Sequence, residues 1–408
     1  MTRSLEPLVS AREACALLGI SPATLYAYVS RGLLESRPGP DHRTRLYLRR
    51  DIEQLAQRKQ AGRGAARGAA QSLDRGLPVL ETRISLIRPD SPYYRGRSAV
   101  AMVRDGATLE DAARVLWDCA RDEDPFDDAP PPWPAAVAAI AGDPQATPLA
   151  RTMAAMPLLA PRHPHSLSTA LPARRRIAAV LLRHNAALLA GLRPQARPVH
   201  ALLADHWRPG DAGFAELVRA ALVLCADHEL NVSAFAARVV ASTGAHLHAT
   251  VSAGLAALSG PRHGGATVRA YALLREASDS PAAHVAERWQ RGDDLPGFHH
   301  ALYPDGDPRA AELLAMLEAT RTGAPRLRQV RDLVAAAADI SGQHPNIDGM
   351  LAAICHVHEL PAAPALAMFA AGRLAGWLAH AMEQQALGRL IRPRAHYTGL
   401  APERGAAG

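Results

Sequence analysis

Apolar residues recur at helical spacing along most of this chain, and Gly, Pro and capping residues cut the pattern into segments. In VSAREACALLGI, Ala14, Leu17 and Leu18 share one helical face. Ser10 precedes them as an N-cap, Glu13 completes a capping box, and Gly19 ends the segment. Ser21 then caps a second helix with Pro22 at its first position, running through ATLYAYVSRG and stopped by Gly32. Two short helices about a glycine-containing turn predict a helix-turn-helix. The following ESRPGPDHRTRLYLRRDIEQLAQ predicts a turn-bearing wing and a third helix. The unit covers 1–60, and the small, basic AGRGAARGAAQSLDR predicts a flexible linker over 61–75. From Gly76 onward helical segments follow one another, among them TLEDAARVLWDCARD headed by Thr108, ARRRIAAVLLRHNAALLAG and GFAELVRAALVLCADH. Strands do not alternate with helices, and neither GxGxxG nor GxxxxGK[ST] occurs, which excludes a nucleotide-binding parallel sheet. The expected fold class is all-α.

Composition agrees with that reading. Of 408 residues, 48% are apolar and 21% charged, enough to bury the cores of two or three domains. Aromatics are only 4%, and the apolar stretches are rich in Ala and Leu, strong helix formers. The net charge of +7 is uneven: residues 1–75 hold 13 basic and 7 acidic residues, leaving a net of +1 for the rest. A basic N-terminal module favours phosphate contacts. Cys15, Cys119, Cys225 and Cys355 are scattered without a CxxC pair, so disulfides and a structural metal site are not expected. MTRSLEPLVS lacks an apolar signal core and no apolar run approaches about 18 residues, so a cytoplasmic protein without a membrane segment is expected.

Candidate chemistry gathers in a few segments. Asp227-His228-Glu229-Leu230-Asn231 follows a helical stretch, and Gly260-Pro261-Arg262-His263-Gly264-Gly265 sets a histidine beside glycines that let a ligand approach. Gly297-Phe298-His299-His300-Ala301-Leu302-Tyr303 runs into Asp307-Pro308-Arg309. PNID carries Asp348, GRLAGWLAH carries Arg373, and RLIRPRAHYTG carries Arg392 and Arg394. Taken singly, any one of 18 histidines is more often filler than a functional group.

Together and in this order, these segments resemble the citrate synthase family from about Gly76 to Gly399, with further matching pieces at LETRISLIRPDSPYYRG and ATLEDAARVLW. The first 60 residues resemble MerR-type winged helix-turn-helix modules. The first resemblance implies a helical large domain (76–264), a small domain (265–365) and a return to the large domain (366–408). It also implies a cleft that closes over substrate, and a homodimer. It implies that His228 binds a carboxylate, that His263 hydrogen-bonds the acetyl thioester oxygen, and that His300 polarises the ketone of oxaloacetate. Asp348 is then the general base, and Arg309, Arg373 and Arg392 bind substrate carboxylates. No cofactor is implied beyond acyl-CoA as substrate. The chemistry accounts for these residue types. A thioester methyl is a very weak acid, so its removal needs a base together with a donor to the developing enolate oxygen. A dicarboxylate needs the planar, paired donors of arginine.

Several positions depart from the family pattern. His299 stands where Gly is usual, Thr267 where Asn is common, GMLAAI follows PNID in place of an aromatic-containing stretch, and the segment over 120–200 is shorter. The expected function is condensation of acetyl-CoA, or a short acyl-CoA, with oxaloacetate to citrate or 2-methylcitrate. An alternative is a DNA-binding, metabolite-sensing regulator built on a citrate-synthase-like ligand domain. A third reading makes the N-terminal module an interaction piece. If the module binds DNA, Thr24, Tyr26 and Tyr28 would face the major groove and Arg43 and Arg45 would sit on the wing.

Overall fold

A computed structural model describes residues 80–160, 168–277, 280–393 and 398–400, and parts of the first 60 residues: 8–18, 20–21, 24–25, 28–29, 34, 36–38, 45–48 and 52. The chain forms two compact units, Met1–Glu81 with Arg392–Gly408, and Thr82–Ile391.

In the first unit, β1 (Leu8–Ser10) leads directly into α1 (Ala11–Leu18), and β2 (Ser36–Pro38) pairs antiparallel with β3 (Arg45–Leu48). β3 is the middle strand, because β1 pairs along its other edge. The expected capping box is present: the Ser10 backbone N–H donates to Glu13 at 2.8 Å, and the Glu13 N–H donates to Ser10 Oγ at 3.3 Å. Ser21 likewise accepts from the Thr24 N–H at 3.3 Å. Val9, Ala14, Leu18, Leu25, Leu34, Tyr47 and Ile52 form the unit's own core. The β2–β3 hairpin is the expected wing, while β1 escaped sequence reading because three residues carry too little periodicity. The linker over 61–75 lies outside the described residues.

The second unit opens with an antiparallel meander, β4 (Ser85–Arg88), β5 (Ser91–Tyr94) and β6 (Arg97–Ser98). Helical spacing did not foretell it. Its cause is local: Arg95 and Gly96 both have positive φ (44° and 84°), the two-residue turn that suits a hairpin. The rest is helical. α2 (Ala99–Arg104), α3 (Leu109–Leu116), α4 (Ala135–Ala141), α5 (Pro148–Leu159), α6 (Leu171–Ala190), α7 (Val199–Trp207) and α8 (Ala212–Cys225) come first. They are followed by α9 (Val232–Ser242), α10 (Leu247–Leu258), α11 (Gly265–Glu276), α12 (Pro281–Arg291), α13 (Pro308–Thr320), α14 (Pro325–Ser341), α15 (Ile347–Val357) and α16 (Ala363–Leu387). Thr108 caps α3 through a reciprocal box with Asp111, as its sequence anticipates.

The 25-residue α16 is the axis of the body. It is buried on all sides, packing on α3, α6, α8, α9, α10 and α15. Two glycines allow the closest approaches. A Cβ on Gly372 would come within 2.7 Å of the Leu222 carbonyl oxygen, and one on Gly376 within 2.1 Å of the Asp227 carboxylate. Among the described residues, no helix is long and apolar enough to cross a membrane.

Candidate active site

α8 ends at Cys225, and the turn that follows carries Asp227 and His228 before Asn231 caps α9. Glu229 takes φ +54°, which folds the turn back sharply. The fully buried Asp227 pins it: its carboxylate accepts from Ser85 Oγ and the Glu229 N–H (3.1 Å) and faces His380 Nε2 at 3.3 Å. Burial opposes ionisation here, yet His380, Ser85 and Arg373 hold this carboxyl below its ordinary range. The Tyr94 hydroxyl donates to the Val223 carbonyl at 2.9 Å, and Arg373 Nε donates to the Cys225 carbonyl at 2.8 Å. His228 is thereby presented from a rigid backbone. Its ring is buried, and its Nε2 lies 3.1 Å from the Tyr303 hydroxyl.

His300 enters from the turn before α13. The Leu302 N–H donates to its Nδ1 at 3.1 Å, so in the neutral ring the hydrogen sits on Nε2, which has no hydrogen-bond partner among the described residues. Its ring centroid is 5.0 Å from that of His228. The same turn is sewn to the start of α15. The Asn346 N–H donates to the Gly297 carbonyl (2.9 Å), its Nδ2 donates to the His299 carbonyl (2.9 Å), and the His299 N–H donates to the His344 carbonyl (2.8 Å). Gly297 and Gly349 then meet backbone to backbone: a Cβ on Gly349 would lie 2.2 Å from the Gly297 oxygen. Asn346 Oδ1 caps α15 at the Gly349 N–H, which sets Asp348 in the first turn of that helix.

Asp348 makes no side-chain hydrogen bond among the described residues, and burial pushes its carboxyl up to about 6 although Arg309 and Arg373 pull it down. Arg309 is 1% exposed and grips Asp307 through Nε (2.9 Å) and Nη2 (2.8 Å). Asp307 also accepts from the Ile347 N–H at 3.1 Å, so one buried ion pair ties α13 to α15. Arg373 lies mid-way along α16, its guanidinium 4.7 Å over the Phe369 ring. Burial, with the charges of Arg309 and Arg373, holds His228 well below its ordinary pKa, and burial foremost brings His300 down to about 4. His263 is likewise lowered to about 4, by burial and then by Arg373. Its Nε2 sits 2.8 Å from Ser233 Oγ, which also receives Trp377 Nε1–H at 3.1 Å and reaches Asn231 Oδ1 at 2.7 Å.

The body thus brings His228, His263, His300, Arg309, Asp348 and Arg373 into one charge-coupled cluster. Arg392 is exposed and falls in the segment that groups with the N-terminal unit. Sequence reading included Asp227, Tyr303, Asp307 and His380 in its candidate segments without giving them a role, and passed over Ser233. For His380 a signal existed: Arg373, Trp377, His380 and Gln384 recur at helical spacing on an otherwise apolar helix. In the N-terminal unit Thr24 is half-buried with its hydroxyl 3.0 Å from Ser21 Oγ, Tyr28 packs partly on the core, and Arg45 is exposed on β3. Tyr26 and Arg43 lie outside the described residues.

The family model for the citrate synthase C-terminal domain matches residues 72–394. The chain belongs to the citrate synthase family. A helix-turn-helix domain model matches residues 8–60. Among curated proteins of this family, the chain is 39% identical over 192 residues to citrate synthase of Haloferax volcanii (46% of this chain, 51% of the relative). It is 35% identical over 212 residues to 2-methylcitrate synthase of Shewanella oneidensis (50% and 56%). The chain spans about half the length of the curated relatives it matches. The fold is that of solved citrate synthases. One is a ternary complex of the Thermoplasma acidophilum enzyme with carboxymethyl coenzyme A and oxaloacetate (TM-score 0.70, 22% identity, 82% of this chain and 98% of that one). Another is the Pyrobaculum aerophilum enzyme (TM-score 0.69, 25% identity, 81% and 93%).

Proposed function

We propose that the protein is an acyltransferase that condenses acetyl-CoA, or a short acyl-CoA, with oxaloacetate and water to give citrate, or 2-methylcitrate, and free CoA. The observation that carries this reading is the Asp348 carboxyl, raised to about 6 by burial and acted on by Arg309 and Arg373, whose charges also bear on three histidines of lowered pKa. A base raised this far still ionises at neutral pH and accepts a proton better than an ordinary carboxylate. Asp348 takes a proton from the acyl carbon next to the thioester. His263 donates to the thioester oxygen as it gains charge, which requires the imidazole hydrogen on Nδ1 and the Ser233 hydroxyl turned from Asn231 Oδ1, its acceptor in the structure, toward Nε2. The enol carbon attacks the ketone of oxaloacetate, whose oxygen receives the Nε2–H of His300. His228, Arg309 and Arg373 hold the dicarboxylate, and Arg392 reaches in from a partner subunit. Water then cleaves the new thioester, releasing CoA. No cofactor enters this scheme.

Thiol release from acetyl-CoA and propionyl-CoA, each with and without oxaloacetate, tests the reading. Oxaloacetate-dependent release supports it, and none with either thioester sinks it.

The N-terminal unit supports a second function. Its capped helix, hairpin wing and net charge of +6 suit a DNA-binding module of MerR type, and two modules on a homodimer would gain effective concentration. Salt-sensitive gel shifts with genomic fragments, weakened by the double change Arg43→Ala and Arg45→Ala, are expected. An affinity indifferent to salt and to both substitutions would leave the module an interaction piece, and ligand binding without turnover would favour a regulator.

A further inference from the structure

We propose that Tyr303 is the positioning residue of the oxaloacetate subsite, its phenol setting the ring orientation and tautomer of His228. The inference rests on the condensing function proposed above. Tyr303 is 2% exposed, and its hydroxyl lies 3.1 Å from His228 Nε2. Its ring centroid is 5.5 Å from that of His228, edge-on, and 5.0 Å from that of His300. The Arg309 guanidinium sits 5.4 Å over its face. One side chain therefore touches three groups assigned to the dicarboxylate, and none of those assigned to the acyl thioester.

The direction of the hydrogen bond follows from proton counting. Burial pushes the phenol up to about 12, so it keeps its hydrogen. His228 Nε2 is its hydrogen-bond partner among the described residues, and that hydrogen is satisfied only if Nε2 accepts. A neutral imidazole that accepts at Nε2 carries its own hydrogen on Nδ1. With Asp227 fixing the turn beneath, the backbone of His228 is held from one side and its ring from the other. Without the phenol, both tautomers and a flipped ring become accessible, and the donor offered to substrate is no longer defined.

Tyr303→Phe removes one oxygen and keeps the ring under Arg309. The KM for oxaloacetate is expected to rise about tenfold, with kcat and the KM for acyl-CoA within about threefold of wild type. In a His228→Gln background the same change should add less than about twofold, because its effect passes through His228. An unchanged KM, or equal losses in both backgrounds, would overturn the proposal. The 15N resonances of the His228 ring, assigned by their loss in His228→Gln, give a readout independent of turnover. Wild type should show hydrogen on Nδ1, and Tyr303→Phe a shift toward mixed tautomers. Hydrogen on Nε2 in wild type refutes the role of Tyr303 whatever the activity. A wild type that shows Nδ1–H but releases no thiol refutes the condensing reading alone.

Discussion

Asp348 carries a stability cost that its proposed role as base requires. Its folded pKa of about 6 lies above the ordinary 3.8, so the group favours folding only while protonated, and this contribution is lost as pH rises through 6. At pH 8 the ionised form costs on the order of 3 kcal/mol. Asp348→Asn removes that cost. The variant is expected to melt a few degrees above wild type at pH 8, with the gap closing toward pH 4, and to lose more than about 95% of its condensation rate. Oxaloacetate binding should stay nearly intact, since the arginines remain; a variant that is active or less stable at pH 8 would remove Asp348 as base. His299 is a second single-residue case. It holds φ +59°, a conformation that glycine adopts freely and histidine does not. His299→Gly is expected to gain up to about 1 kcal/mol in denaturant melts. It should also lower the propionyl-CoA to acetyl-CoA ratio of kcat/KM by a few-fold, because the turn beside His300 can then relax. An unchanged ratio would show that His299 does not govern acyl choice.

At the scale of elements, the site is assembled by close backbone contact. The turn carrying His300 and the first turn of α15 carrying Asp348 are joined at Gly297 and Gly349, where no side chain fits. The buried Asp307–Arg309 pair and the Asn346 hydrogen bonds join the same two elements. A methyl group at position 349 would press on a backbone carbonyl, which cannot swing aside as a flexible side chain can. Gly349→Ala is therefore expected to cost about 2 kcal/mol or more in chemical denaturation, and to slow condensation by separating Asp348 from His300. Wild-type stability with a normal rate would mean the two turns can part freely.

The whole body is exposed to acid through its buried histidines. His200, His228, His263, His300, His356 and His358 all have pKa values lowered chiefly by burial, to about 4 for His263 and His300. A group lowered below its unfolded value, about 6.5 for histidine, stabilises the fold above that pH. The contribution is lost as pH falls toward the folded value. Asp348, Glu110 and Glu229, whose carboxyls are raised by burial, act in the opposite sense, but they are three groups against these six histidines. Melting temperature should therefore begin to fall below about pH 6.5, well before ordinary carboxylates titrate, and scanning calorimetry from pH 8 to pH 4 checks it. A flat profile down to pH 5 would mean these rings reach water or partners on protonation.

What the chain determined by itself is its local structure and its inventory of chemistry. Capping boxes at Ser10 and Thr108, proline starts and glycine stops mark helices because they satisfy backbone groups within a few residues. The ordered His, Arg and Asp segments supplied the candidate residues for a related reason: each motif is local in sequence. The β4–β6 meander and β1 were not legible, since their evidence is a two-residue turn and pairings that need a partner strand. Tertiary structure alone decided which neighbours act on those residues. Nothing near Asp348 in sequence sets its pKa; burial and arginines 39 and 25 positions away do. The same holds for Tyr303, which lies 75 residues from His228 and meets it only once α8 and the turn before α13 are packed side by side. Hydrogen bonds and charge shifts depend on distance in space, and the helical period carries no information about distances between helices.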